Sequence, residues 1–317
     1  MEALNPHVTV LVVSDYAGGQ DKAWADIRTT LGALANQDFD GSIETILVES
    51  SAVAETLPTD LSRELSGLRV ELIQVSENFG SSYLLKNRGV ELARADFVAV
   101  LDADCVPDTG WLRAAIEAIE ARPNAAAVSG QTVYEGRTLS ERALGVLSRA
   151  YIDRRGRGLT RFVSNNNVVF RRSVYLEHPL PTEGGPFAAR LQSEALLRAG
   201  YQLAFEPAMR VTHDFEGWAM ERDIRRNIGW ATIKVRQIDP SMPQAWALRS
   251  GPLAVLLFFV GHVLESCWHV LRVGGHYDLP WYERPAAMAL AFYVHALEIG
   301  GMRTAMAGRG VGPTAYR

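Results

Sequence analysis

Asp102-Ala103-Asp104 stands where the apolar run Phe97-Val98-Ala99-Val100-Leu101 stops. Two carboxylates at i and i+2 share one face of a strand, but at a strand end, where the backbone turns, their oxygens can converge on one hard cation. A divalent ion held this way keeps waters and completes its shell with phosphate oxygens, so the spacing suggests a nucleotide ligand. The plainer reading is a solvated turn after a core strand, since Asp is common in turns. Asp15 and Glu49 follow two other apolar runs, Val8 to Val13 and Ile43 to Val48, and tilt the choice toward a site.

The elements that must position these groups alternate. Val8–Val13 reads as a strand buried on both faces, interrupted only by Thr9. A helix then places Trp24, Ile27, Leu31 and Leu34 on one face. Strands are expected at 43–48 and 68–75, a helix at 81–94, and a further strand leading into Asp102. This alternation predicts right-handed crossovers and an α/β fold with a mostly parallel sheet flanked by helices. Ligands bind beyond the carboxyl ends of such strands, where Asp15, Glu49 and Asp102 all fall. The expected organisation is a domain over 1–240, with a donor-binding half at 7–130 and an acceptor half at 131–240, followed by an apolar helical region over 241–317.

Composition sets the outer limits. The chain has 317 residues, 48% hydrophobic and 21% charged, and a formal net charge of −4, so no basic field argues for nucleic acid. Cys105 and Cys267 form no metal-type spacing and no disulfide framework. The first residues, Met1 to Pro6, lack the basic and apolar regions of a signal peptide, and a cytoplasmic location is expected. The turn Ser14-Asp15-Tyr16-Ala17-Gly18-Gly19-Gln20 carries neither a dinucleotide fingerprint nor a phosphate-cradling loop ending in Gly-Lys-Ser/Thr. It is also a poor match to the Gly-rich activation loop of a nucleotidyltransferase.

Five segments in order resemble the inverting family-two glycosyltransferases with the GT-A fold. They are Asn78-Phe79-Gly80, Lys86-Asn87-Arg88-Gly89, Ala95 to Asp104, Asn165 to Arg172, and Ala199-Gly200-Tyr201 with Pro207 and Val211-Thr212-His213. The resemblance runs over about residues 7 to 235. It implies a nucleotide-diphosphate-sugar donor, UDP-linked by preference, and a hydroxyl acceptor in glycan, polysaccharide or glycolipid assembly. Asp15 and Glu49 would contact base and ribose, Glu49 standing where the family more often has Asp. Asn78 and Lys86 count with the donor-binding residues. Asp102 would face the ribose or the metal, Asp104 would ligate Mg²⁺ or Mn²⁺ across the diphosphate, and His213 would complete that site. The other reading of His213 is a strand-end histidine bonded to backbone.

Inversion requires a general base for the acceptor hydroxyl. The family's usual Glu-Asp pair before the helix that ends in Ala-Gly-Tyr is missing; the corresponding positions hold Ala188-Ala189, or Gly184 after Glu183. The carboxylates available are Glu183, in a Gly-rich loop, and Glu194, one helical turn from Arg190. Without a base, the chain would be a nucleotide-sugar-binding or scaffold protein. No Gln-x-x-Arg-Trp motif of the processive polymerases is matched by Arg225 to Trp230, so single-sugar addition is expected. Asn165 to Asn167 either line the acceptor pocket or shape a turn. At most one of Arg171 and Arg172 can meet phosphate. Arg222, Arg225, Arg226 and Trp230 either close over the diphosphate or form a solvated basic face. Trp111 is expected to anchor the helix it begins.

After residue 240 the composition turns apolar. The first 13 residues from Gly251 carry no charge, while His262, Glu265 and His269 follow, and a second apolar stretch at 285–300 holds His295 and Glu298. Between them lie Tyr277, Trp281 and Tyr282, suited to a membrane interface. A helical hairpin is expected, dipping into or lying on the inner face of the cell membrane beside a lipid-linked or membrane-confined acceptor; the competing expectation is a soluble cap or a homodimer contact. The pairs His262/Glu265 and His295/Glu298 either ligate a metal across two helices or satisfy one another.

Overall fold

A computed structural model describes residues 5–13, 24–50, 70–77, 82–152, 156–213, 215 and 217–311, with backbone alone for 70–77. A nine-stranded sheet organises the chain up to His213. Its first half follows the expected alternation: β1 (Val8–Val13), α1 (Ala25–Ala35), β2 (Ile43–Ser50), β3 (Val70–Glu77), α2 (Ser82–Leu92) and β4 (Phe97–Asp102). These four strands lie in the order β3-β2-β1-β4, all parallel. Every residue of β1 and β2 is buried, as expected of central parallel strands covered on both faces, although β2 carries Glu44, Thr45, Glu49 and Ser50 among its apolar residues.

Beyond β4 the sheet is mixed. The remaining elements are β5 (Cys105–Pro107), α3 (Trp111–Glu120), β6 (Ala125–Tyr134), α4 (Leu139–Arg149), β7 (Gly158–Thr160), β8 (Asn167–Arg171), α5 (Arg172–Glu177), α6 (Ala188–Arg198) and β9 (Gln202–His213). β8 runs antiparallel to both β4 and β6, with Leu101 opposite Asn167. An antiparallel strand that begins where β4 ends delivers the Asn-rich turn at its own start to the carboxyl end of β4. β6 spans residue 130 without interruption, so the two halves of the chain share one sheet.

Three long helices follow: α7 (Trp218–Ile238), α8 (Leu253–Val273) and α9 (Arg284–Met306). α8 and α9 form the expected hairpin, with the rings of Phe259 and Phe292 at 5.2 Å and those of His262 and His295 at 5.4 Å. α9 lies directly on α7, because a Cβ at Gly229 would overlap the Glu298 carbonyl and one at Gly301 would overlap the Arg226 carbonyl. This closest-approach seam draws the hairpin onto the sheet domain. The opposite side of the hairpin is bare: Leu253, Leu256, Leu264, Trp268 and Leu271 on α8, and Phe292 on α9, are each more than half exposed. α8 with the turn after it is long and apolar enough to cross a membrane.

Candidate active site

The turn at Asp102-Ala103-Asp104 is pinned on three sides. The Asp102 N–H donates to the Asn166 carbonyl at 3.4 Å, the Ala103 N–H donates to Val13 at 3.0 Å, and the Ala103 carbonyl accepts from the Thr30 hydroxyl at 2.7 Å. Both carboxylates are buried and separate into two environments. Asp102 pairs with Lys86 of α2, Nζ 2.7 Å from Oδ1, so its charge is met by the protein itself. Neither Asp104 oxygen accepts a hydrogen bond among the described residues; beside it stand the His213 ring, Nε2 3.2 Å from Oδ2, and the Cys105 thiol. Burial first, then the charges of Asp104 and Asp102, push the Cys105 thiol well up and keep it protonated.

His213 arrives from β9, whose last residue pairs with Cys105 across the antiparallel β5 ladder. Asp104 and His213 together make an oxygen-and-nitrogen donor set with ligand atoms to spare. Two buried carboxylate oxygens with no hydrogen-bond donor beside them, among the described residues, other than His213 and the Cys105 thiol are what a divalent cation would complete.

Asp102, Lys86 and His213 line a cavity of about 150 Å³ with Asn165, Asn166 and Arg149. The side chain of Asn165 is buried with neither its oxygen nor its nitrogen bonded among the described residues, which leaves both for a ligand. Asn166 is held by Ser164 and the Cys105 sulfur. Asn167 is structural: it accepts from the Trp111 indole at 2.8 Å and donates to Met209 and Gln131, so Trp111 anchors its helix as expected. The Asn triad therefore divides between turn and pocket.

Arg149, the last residue of α4, was not among the residues singled out by sequence. Burial would lower its pKa, but Tyr134, Tyr151, Cys105 and Asp102 outweigh that and hold the guanidinium charged. Its Nε is buried with no hydrogen-bond partner among the described residues. A basic residue in the last turn of an amphipathic helix ordinarily serves the helix dipole, so nothing in its spacing marks it.

The other expected residues lie as follows. Glu49 is fully buried at the carboxyl end of β2. Asp15 and Asn78 fall outside the described residues. Glu183 is exposed just before a short turn at Gly185–Phe187, whose Pro186 and Phe187 line the cavity. Glu194 sits on α6 within 3.4 Å of Arg190 and 3.7 Å of Arg161. Neither Arg171 nor Arg172 meets a phosphate position: Arg171 donates to the carbonyls of Ala125, Ile119 and Arg122, and Arg172 to those of Val90 and Glu91. The basic face of α7 is also divided. Arg222 and Arg226 are exposed, whereas Arg225 is buried against Glu221 at 2.6 Å, Ser148 at 2.6 Å and Glu298 at 3.4 Å. His262 and His295 both bond Glu298, at 3.0 and 2.9 Å, so these three groups satisfy one another, while Glu265 is exposed and takes no part.

The fold is that of the GT-A glycosyltransferases. It resembles the mannosyltransferase PcManGT from Pyrobaculum calidifontis, solved in complex with GDP-Man and Mn²⁺, with a TM-score of 0.61 at 17% identity over 97% of this chain and 89% of that one. It also resembles S. aureus TarS in complex with UDP-GlcNAc, with a TM-score of 0.50 at 15% identity over 95% of this chain and 90% of that one. The sequence model of glycosyl transferase family 2 matches residues 21–178, and the chain belongs to that family. No curated protein matches it.

Proposed function

We propose that this chain is a metal-dependent inverting glycosyltransferase that adds single sugars from a nucleotide-diphosphate-sugar, UDP-linked by preference, to a hydroxyl acceptor in glycan, polysaccharide or glycolipid assembly. The observation that carries the reading is the buried Asp104 carboxylate, with no Lys or Arg partner among the described residues and His213 beside it, next to a cavity that offers Arg149 and Asn165. Asp104 and His213 would hold Mn²⁺ or Mg²⁺, which supplies charge neutralisation for the departing diphosphate. Arg149 adds a fixed positive charge in a site where burial strengthens it. Lys86 has a different part: it neutralises Asp102 and fixes the carboxylate where a ribose hydroxyl could donate to it. Glu49 and Asp15 would flank the base and ribose, and Asn78 the donor.

For the base we favour Glu183. Its loop borders the cavity through Pro186 and Phe187, whereas Glu194 is engaged by two arginines. An exposed carboxylate becomes a base when a bound acceptor brings its hydroxyl within hydrogen-bond reach. The bare apolar face of α8, bordered by exposed Trp246, Trp281 and Tyr282, supports placing the protein on the cytoplasmic face of a membrane, near a lipid-linked acceptor.

The test is a thermal-shift series with UDP- and GDP-sugars, with and without Mn²⁺, joined to donor consumption. Mn²⁺-dependent stabilisation is expected, since a ligand bound only by the folded state raises its stability by mass action. Glu183→Gln should keep that shift and lose on the order of 10²-fold or more in transfer. A variant with full transfer removes Glu183 as base, and a wild type that binds the donor without turnover favours a non-catalytic binding protein. For the membrane, the wild type should co-sediment with vesicles containing anionic lipid and Leu264→Glu/Trp268→Glu should not. A stable dimer that ignores vesicles would assign the apolar face to a second copy instead.

A further inference from the structure

A second cavity, of about 290 Å³, lies between α6, α7 and the hairpin. It adjoins the first, because Ser148, Tyr151, Phe162, Phe187 and Ile228 line both. Its charged lining sets Arg190, Arg225 and Arg236 against Glu265 and Glu298, and the pairing is unequal. Arg225 is answered by Glu221 and Glu298, and Glu298 is itself held by two histidines. Arg190 has Glu194 at 3.4 Å. Arg236 has no carboxylate within ion-pair distance among the described residues: it donates to the carbonyls of Pro243 at 2.8 Å and Thr232 at 2.7 Å and stacks over the Phe258 ring at 4.7 Å. Those contacts fix the guanidinium plane without neutralising it. Burial, then the charge of Arg190, lower its pKa to about 10, against an opposing pull from Glu265. At neutral pH it therefore stays charged, half-buried at the cavity wall and with no carboxylate close enough to pair with it among the described residues.

We propose, building on the glycosyltransferase reading above, that the second cavity is an acceptor subsite in which Arg236 and Arg190 bind a phosphate group carried by the acceptor. Two guanidiniums suit a phosphate monoester, whose oxygens accept from planar forks and whose second charge a single carboxylate would not supply. The neighbouring wall is α8, which turns His262, Glu265, Ser266 and His269 to the cavity and its leucines outward. A phosphate at the head of a lipid would reach the arginines from that side; a soluble sugar phosphate would enter from solvent.

Binding to the full-length protein should be measured by calorimetry with two matched pairs, farnesyl phosphate against farnesol below their aggregation limits, and glucose 1-phosphate against glucose. The phosphate member of at least one pair should bind at least tenfold tighter than its neutral partner. Farnesyl phosphate alone would identify a lipid source, glucose 1-phosphate a soluble one. Arg236→Gln should weaken that binding about tenfold while leaving the Mn²⁺–UDP thermal shift in place. Glu265→Gln, at an exposed position on the cavity wall, should tighten it about twofold by removing a charge of the same sign as the phosphate, and tests the site even if Arg236→Gln fails to fold. Equal affinity for phosphate and neutral partners, or affinities that neither variant alters, would overturn the proposal. The donor reading fails separately, by loss of the Mn²⁺–UDP shift in the wild type.

Discussion

Replacing Asp104 by Asn should lower kcat/KM for sugar transfer on the order of 10³-fold, about 4 kcal/mol, and remove the Mn²⁺-dependent part of donor binding. The substitution keeps shape and takes away one charge. In the metal-free protein that charge is poorly compensated: Asp104 is buried, it has no Lys or Arg partner among the described residues and only the His213 ring at 3.2 Å, and its field helps to push the neighbouring Cys105 thiol up. The metal-free melting temperature should therefore stay level or rise while activity collapses, the opposed signs expected of a group kept for function. Melting with and without Mn²⁺ and UDP, together with initial rates, reads both effects. Asp104→Asn with an intact Mn²⁺-dependent shift would mean that the cation is held elsewhere. Asp102→Asn should behave differently, since it strands the buried Lys86 ammonium and costs stability as well.

That contrast also marks what the sequence makes legible. Asp102 and Glu49 can be found because a buried parallel strand is a continuous apolar run, and the first carboxylate beyond it stands at the sheet's carboxyl edge. Which of the two aspartates is neutralised is not written in Asp-Ala-Asp; it depends on Lys86 arriving from a helix 16 residues earlier in the chain. The direction of β8 is hidden for a similar reason, because five residues of nearly continuous burial read alike in either direction. His213 is legible through its place in a longer motif. Arg149 and Arg236 are not, since each is one basic residue near the end of an amphipathic helix, and only tertiary packing decides whether such a residue faces water, a carboxylate or a cavity. The hairpin pairs divide the same way. Spacing at i and i+3 puts His295 and Glu298 together, but His262 leaves Glu265 and crosses to the other helix's glutamate.

Replacing Glu298 by Gln should cost about 3–5 kcal/mol of stability, the range for breaking a buried ion pair by removing one partner. Glu298 is the centre of the joint between the hairpin and α7. It receives His262, His295 and Arg225, and its main chain sits where Gly229 of α7 lets the helices touch. Burial alone would raise its pKa, but the hydrogen bonds and charges of the two histidines outweigh that and hold the carboxyl well below the usual carboxylate range. The sign of the pH effect follows. A carboxyl whose folded pKa is depressed adds stability above its unfolded value, about 4.3, and loses it as the pH falls toward the folded value. The difference between wild type and Glu298→Gln in urea unfolding should therefore be level from about pH 7 to 5 and shrink below about 4.3. A difference that grows with acid would place the loss in something other than this charge. Because the joint also forms one wall of the second cavity, the variant should loosen phosphate binding there and leave the Asp104 site intact, which separates the hairpin's contribution from the donor chemistry.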